Sequence, residues 1–316
     1  KVFVDKREEL RDLCTHYWDL ETIGITDNTN ENSFDLNAYC NNNIHKDQDC
    51  KYTARLPWKE EHPPLPTNFT IANARTRSMI RHLDFETVEV YDSLIKDQLH
   101  NEFIEKVQND NNQQGHYLPH HSVKKDSVTT PIRIVYDCSC RTRNTPSLND
   151  CLETGTTFVK DLVAILLRFR THDIAFTSDI EKAFLHIGLH DDDRNFTKFL
   201  WPSNPHDLDS KFDTYRFKSI LFGSTSSPFI LDAVLKKHLS QYQSPIASTI
   251  KNNLYVDNLL TGVNTSQEAL QFYQEARTIM LDAGFKLRSW STNDTKLQSI
   301  IPTKDHDTAQ LVNLLG

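Results

Sequence analysis

Long apolar runs are missing from this 316-residue chain: the longest, Leu162 to Leu167, falls far short of the ~18–20 residues a membrane-spanning helix needs. The opening Lys1-Val2-Phe3-Val4-Asp5-Lys6 is no signal peptide either, so the chain is expected to be neither secreted nor membrane-embedded. Methionine occurs only 2 times and not at the start, and the last residues, Leu311 to Gly316, stop in an apolar stretch. Both suggest a piece of a longer polyprotein. Cysteine is limited to 6 positions, 14, 40, 50, 138, 140 and 151. Without a secretion signal, and with enough residues to build a core unaided, they are expected to be reduced thiols. Cys138-Ser139-Cys140 lacks a second Cys or His pair at zinc-like spacing. His116, His120 and His121 also lack a partner pattern and are expected in loops at the surface. Residues 1–115 contain no Asp-Thr-Gly or Asp-Ser-Gly triplet, which speaks against an aspartic protease there.

What is present is a globular composition, 38% hydrophobic and 25% charged, at a length that suits two domains. The formal net charge of -8 at first argues against nucleic acid as a partner. Its distribution reverses that argument. Residues 1–115 hold 13 basic against 21 acidic side chains, and the remainder balances at 22 and 22. Lys124, Lys125, Arg133, Arg141, Arg143, Lys160, Arg168 and Arg170 form a modest basic stripe, which on charge alone is equally an ordinary solvated surface.

Residues 26–50 are dense in Asn and Asp and read as a flexible linker. Helical patterning follows over Ile71–Leu83 and Tyr91–Val107, and a second polar gap spans Asn109 to Gly115. From about residue 130, short β-rich runs alternate with helices. Ile132 to Tyr136 predicts a strand, Asp161 to Arg170 an amphipathic helix, and Ile174 to Thr177 a strand running into Asp179. Tyr215 to Phe222 predicts another strand, followed by a helix from Ser227 to Tyr242 with Pro228 in its first turn. Leu254-Tyr255-Val256 and Leu259-Leu260-Thr261 flank Asp257-Asn258 as the turn of a hairpin. A capping box at Thr265 to Glu268 opens a last helix that stops at Gly284. The order suits a split βαβ layer, an α+β sheet with helices on one face.

Asp179 ends an apolar strand, and Asp257 sits at a hairpin tip with apolar flanks. Two strand-end carboxylates on neighbouring strands can converge on divalent cations, and hard oxygen donors suit Mg²⁺. From these residues alone, a turn-forming Asp257-Asn258 and a strand-capping Asp179 explain the pattern equally well.

Further motifs favour the metal reading. YLPHHSV (117–123), PIRIVYDCS (131–139), SLNDCL (147–152), SDIEKAF (178–184), DRNFTKFLW (193–201), FGSTSSPF (222–229) and YVDNLLTG (255–262) occur in this order. Together they resemble the reverse transcriptase of BEL/Pao retrotransposons. Upstream, YWDLETIGI (17–25) and ARLPWK (54–59) resemble that family's segment between protease and polymerase. The resemblance implies right-hand polymerase fingers and palm over residues 86–316, with a palm core at about 172–300 and a linker or extension at 1–85. The thumb and RNase H would lie outside this chain.

By the same resemblance, Asp179 and Asp257 are catalytic metal ligands for Mg²⁺ or Mn²⁺, and Ile180 adds its backbone carbonyl. Phe184 is the aromatic gate that excludes a 2′-hydroxyl, though core packing is its plain alternative. Arg133, with Lys124 or Lys125, contacts the nucleotide triphosphate. Phe222 and Gly223 line the nucleotide pocket, and Ser227, Pro228 and Tyr255 face template and primer. The implied partners are an RNA template with a DNA or tRNA-like primer, dNTPs, and the rest of a Pol polyprotein, with protease upstream and RNase H and integrase downstream. The implied setting is a cytoplasmic virus-like particle. One position departs from the pattern: the family's Tyr-x-Asp-Asp stands here as Tyr255-Val256-Asp257-Asn258, so Asn258 at the catalytic metal site brings a neutral oxygen in place of a charge. Weak activity, or a non-catalytic nucleic-acid-binding or protein-interaction remnant, is the alternative this leaves open.

Overall fold

The computed structural model describes residues 36–47, 50–124, 132–155, 162–207 and 209–306. Its elements begin with α1 (Leu36–Asn43), β1 (Ile44–Lys46), β2 (Tyr52–Ala54), α2 (Phe69–His82), α3 (Phe85–His100) and β3 (Ile104–Lys106). Next come β4 (His120–Lys124), β5 (Ile132–Tyr136), α4 (Leu162–Arg170), β6 (Ile174–Ile180), β7 (Gly188–Leu189), β8 (Lys198–Pro202) and β9 (Phe212–Phe217). The chain continues through α5 (Ser227–Leu239), α6 (Pro245–Asn253), β10 (Leu254–Tyr255), β11 (Asn258–Val263), α7 (Ser266–Leu281), β12 (Leu287–Thr292) and α8 (Thr295–Ile300). The fold is mixed α+β.

The sheet that matters most runs in the order β10-β11-β6-β12, with antiparallel neighbours throughout. Side chains alternate across its central strand β6: Phe176, Ser178 and Ile180 are buried, whereas Ala175, Thr177 and Asp179 are only half-buried. Phe176 packs against Phe272 of α7 and Trp290 of β12, with ring centroids 5.0 and 6.2 Å away. This pins one face of β6 to its helical layer. Asp179 is thereby left on the opposite face.

A second sheet, β3-β9-β8, and the β4–β5 hairpin share an aromatic core. Tyr91 stacks on Trp201 at 4.6 Å, and Tyr136 meets Phe199 and Phe217 edge-on at 5.0 and 4.8 Å. His120 lies inside this core: its Nε2 donates to the Leu200 carbonyl at 2.9 Å, its Nδ1 faces the Tyr91 hydroxyl, and burial lowers its pKa to about 4. His116 is also buried and donates from Nδ1 to Pro66 O at 2.6 Å. The surface placement inferred for the histidines therefore holds for His121 alone; His120 is a core group with both ring nitrogens partnered, and His116 is a core group held through Nδ1, its buried Nε2 making no hydrogen bond with the described residues.

The flexible reading of residues 26–50 fails over 36–46. Tyr39 and Ile44 are buried anchors, Tyr39 donates to Arg55 O at 2.6 Å, and Lys237 reaches the carbonyls of Cys40 and Ile44 at 2.6 Å each. Two apolar anchors and strand pairing suffice to order a stretch whose composition looks solvent-loving; residues 26–35 lie outside the described ones. β1 pairs with β2, and β2 runs parallel to β7, so the chain before and after residue 85 shares a sheet. The described residues from 36 to 306 belong to one compact unit. The upstream ARLPWK motif is docked on Asp193, which accepts from Leu56 N at 2.9 Å and from the Trp58 indole at 2.8 Å.

Several element boundaries also move. The helix read over Tyr91–Val107 starts at Phe85, capped by Asp84, and ends at His100; Ile104 to Lys106 then pair with β9 as a strand. β9 stops at Phe217, freeing the segment that carries Phe222, and the following helix ends at Leu239. The described cysteines carry free thiols.

Candidate active site

The hairpin between β10 and β11 closes one residue earlier than the turn chemistry of Asp257-Asn258 suggests. Tyr255 pairs with Asn258, so the two-residue loop is Val256-Asp257 and Asn258 is the first residue of β11. Val256 takes φ 55, the left-handed first position of a type II′ turn, where glycine is favoured. A β-branched residue there stores strain of order 1–3 kcal/mol, a feature that collects at functional sites.

That tight loop sets the geometry of the acids. Asn258 lies opposite Asp179 in the β11–β6 register, and Ile180 N donates to Asp257 O at 2.9 Å. The Asn258 amide donates to Asp257 Oδ1 at 3.1 Å. Burial raises the Asp257 pKa first and the negative charge of Asp179 raises it further, while Arg133 and Arg288 oppose. Burial likewise raises Asp179, against the lowering pull of Arg288. Two carboxylates that each sit above their ordinary range, both chiefly through burial, with Asp179 adding to the rise at Asp257 and Glu181 to that at Asp179, form a site short of positive charge.

Arg288 was not legible in the sequence. It faces Asp179 across the β12–β6 register, with Nε 3.3 Å from Asp179 Oδ1 and Nη1 3.6 Å from Glu181 Oε1. Lys286 also binds Glu181, at 3.0 Å. No spacing rule links positions 288 and 179, and only the sheet register brings them together.

Asp179 Oδ1 and Arg288 Nε are in ion-pair contact without hydrogen-bond geometry, so this carboxylate oxygen is buried and accepts no hydrogen bond. Such an atom fits an oxygen-seeking cation such as Mg²⁺ or Mn²⁺. Among the described residues no group of three or more His, Cys, Asp or Glu converges on one point, so the available donors are two carboxylates and the Asn258 amide oxygen.

Beside the acids, Arg133 stacks over the Phe222 ring at 4.6 Å, and Phe222 meets Phe184 edge-on at 4.7 Å. The exposed guanidinium, the half-buried Phe222 and the buried Phe184 thus form one continuous stack. Gly223 follows at φ 101, where an added Cβ would lie 2.3 Å from Tyr136 O. Its glycine is required by the approach of β5, a cause internal to the fold. Asn149 clamps this turn, donating to Gly223 O at 3.1 Å and accepting from Thr225 N at 2.9 Å.

The remaining sequence candidates sit variously. Ser227 is buried with its hydroxyl donated to Leu221 O at 2.6 Å, so that group serves the fold and is not free to meet template or primer. Pro228 is exposed in the first turn of α5, and Tyr255 is half-buried in β10. Lys124 is exposed at the end of β4; the carboxyl of Asp84, lowered in pKa chiefly by its hydrogen bonds with Thr87, is lowered a little further by the Lys124 charge. Lys125 lies outside the described residues. Arg168 is committed to Asn253 Oδ1 and Asn252 O, both at 2.8 Å.

Comparison with known proteins completes the description. The model of the family described as "Reverse transcriptase (RNA-dependent DNA polymerase)" matches residues 90–299. Among solved structures, the chain is similar to the foamy viral protease-reverse transcriptase in complex with RNA/DNA hybrid, at 18% identity and TM-score 0.49, over 65% of this chain and 24% of that one. The same viral protein in complex with dsDNA gives 18%, 0.49, 65% and 37%, and its dRH form with ds DNA 17%, 0.46, 65% and 31%. The chain thus spans well under half the length of these proteins. No curated protein matches it.

Proposed function

We propose, starting from the fact that this chain belongs to the reverse transcriptase (RNA-dependent DNA polymerase) family, that it carries the fingers and palm of an enzyme copying RNA, and DNA, into DNA. The central sheet β10-β11-β6-β12 serves as palm, and the β4–β5 hairpin with α2 and α3 as fingers. The observation that carries this reading is the placement of Asp179 against the Asp257–Asn258 end of the hairpin, beside the Arg133–Phe222–Phe184 stack.

Asp179, Asp257, the Asn258 amide oxygen and the Ile180 carbonyl would hold Mg²⁺, or Mn²⁺. The bound ions, two in this reaction class, supply activation of the primer 3′-hydroxyl and neutralise the departing pyrophosphate. Arg133 offers its planar guanidinium to the triphosphate, and a Lys from position 124 or 125 adds a point charge. Phe184 lies under the sugar and excludes a 2′-hydroxyl, with Phe222 supporting it edge-on. Pro228 and Tyr255 face the template–primer duplex, which is gripped by shape and phosphate and not by sequence. The ordered motifs further support a BEL/Pao-type element, with a Pol polyprotein as context and a cytoplasmic virus-like particle as setting.

Asn258 favours a second reading, a polymerase fold that binds template and primer with little or no synthesis. Primer extension on an RNA template with Mg²⁺ or Mn²⁺ separates the two. The unmodified chain is expected to extend weakly and Asn258→Asp to restore synthesis. Silence of Asn258→Asp, while an active family member cut at the matching residue extends the same primer, refutes the polymerase reading. Salt-dependent duplex binding in that case would leave the binding module.

A further inference from the structure

We infer that Arg288 competes with a divalent cation for Asp179, and that its charge sets how tightly the site takes the ion. The inference rests on reading Asp179 and Asp257 as metal ligands. It starts from the sheet register, which puts Arg288 directly across from Asp179 and gives the guanidinium no need of a flexible loop to arrive there. The contact is a 3.3 Å ion pair in which neither Asp179 Oδ1 nor Arg288 Nε makes a hydrogen bond. Attraction between charges is therefore the larger part of this contact, and a competing cation can take its place.

Arg288 also has an alternative resting place. Its Nη1 lies 3.6 Å from Glu181, whose carboxylate is already held at 3.0 Å by Lys286. The strand bends immediately after it: the pairing shifts between Arg288 and Ser291, and Ser289 takes φ 51. A side chain with two carboxylate partners, mounted on a bulge, can leave Asp179 for Glu181 with little rearrangement of the sheet.

Charge at the site makes this exchange consequential. With Asn258 neutral, the facing acids are Asp179 and Asp257, and Arg288 cancels one of them. A divalent ion must displace that positive charge or bind beside it, and two cations cannot share one carboxylate oxygen in a half-buried site without strong repulsion. Arg288 is thus a positioning residue that works through Asp179.

The test is Mn²⁺ binding to the full chain without nucleic acid, read by the electron paramagnetic resonance of free Mn²⁺. Arg288→Gln is expected to tighten binding at least about tenfold, because solvent screening and the reach of the side chain to Glu181 leave only a part of the repulsion of one unit charge at this range. Arg288→Lys, which keeps the charge, is expected to stay within about twofold of the unmodified chain. Asp179→Asn added to Arg288→Gln is expected to abolish the gain, which locates the ion. If Arg288→Gln does not fold, Arg288→Met keeps the aliphatic stem and carries the same expectation. Unchanged or weaker Mn²⁺ binding in a folded neutral variant overturns the inference, as does equal tightening by Arg288→Lys. Primer extension by Asn258→Asp is a separate reading: tightened Mn²⁺ binding with no extension sinks the polymerase alone, and extension with no tightening sinks only the role of Arg288.

Discussion

Replacing Asn258 by Asp converts a hydrogen bond into a repulsion, and the size of that change follows from the geometry. The Asn258 amide sits 3.1 Å from Asp257 Oδ1. Two unit charges at that separation, in surroundings of effective dielectric ~20, repel by about 5 kcal/mol. The site is partly open to solvent and a shared proton can absorb part of the repulsion, so the net cost to folding at pH 7 in EDTA is about 1–3 kcal/mol. For a domain of this size that lowers the melting temperature by roughly 2–5 °C. Mg²⁺ or Mn²⁺ at a hundred times its dissociation constant returns about 2.7 kcal/mol. The assay is a thermal melt of both chains in EDTA and in rising Mn²⁺. Asn258→Asp should start lower and climb much more steeply than the unmodified chain. Identical melting in EDTA, or an equal response to Mn²⁺, would show that position 258 does not face the other acids as described.

Three further outcomes follow from the geometry. Asp179→Asn should raise the melting temperature at pH 7 although it removes a metal ligand: burial holds the Asp179 pKa above its ordinary value, so the folded state carries this charge at a cost. That cost is present above the raised pKa and vanishes below the unfolded value of ~4, so the gain in melting temperature should disappear in melts at pH 4 and lower. Gly223→Ala should cost about 2–4 kcal/mol by urea titration, because the new Cβ meets Tyr136 O at 2.3 Å on a backbone at φ 101; a cost under ~0.5 kcal/mol would contradict it. Asp193→Ala leaves the Leu56 amide and the Trp58 indole without an acceptor, for about 2–4 kcal/mol, and Asp193→Asn should recover part of that in the same titration.

Strand and helix identities were largely readable from local pattern. β5 occupies Ile132–Tyr136 as its alternation predicts, and α7 starts at the capping box of Thr265, whose hydroxyl accepts from Glu268 N at 3.2 Å. Those signals lie within a few residues of what they specify. The 26–50 stretch misled because composition averages away the two side chains, Tyr39 and Ile44, that decide whether it folds. His116 and His120 misled because a buried histidine and an exposed one look alike until the partner carbonyls, Pro66 and Leu200, are brought to them.

For the site, the sequence by itself singled out Asp179 and Asp257 as strand-end and hairpin-tip acids, and the resemblance marked Asn258 as one charge short of the family's motif. It also placed Arg133, Phe184 and Phe222 among the candidates through ordered motifs. Tertiary structure alone decided that these three form one stack, that the hydroxyl of Ser227 is consumed inside the fold, and that Gly223 answers to the carbonyl of Tyr136. It alone placed Arg288 on Asp179, 109 positions apart in sequence, through the pairing of β12 with β6. The physical reason is range: propensity and capping act over one or two turns of chain, whereas the field at a buried carboxylate is set by whichever charges the sheet register brings within a few ångströms.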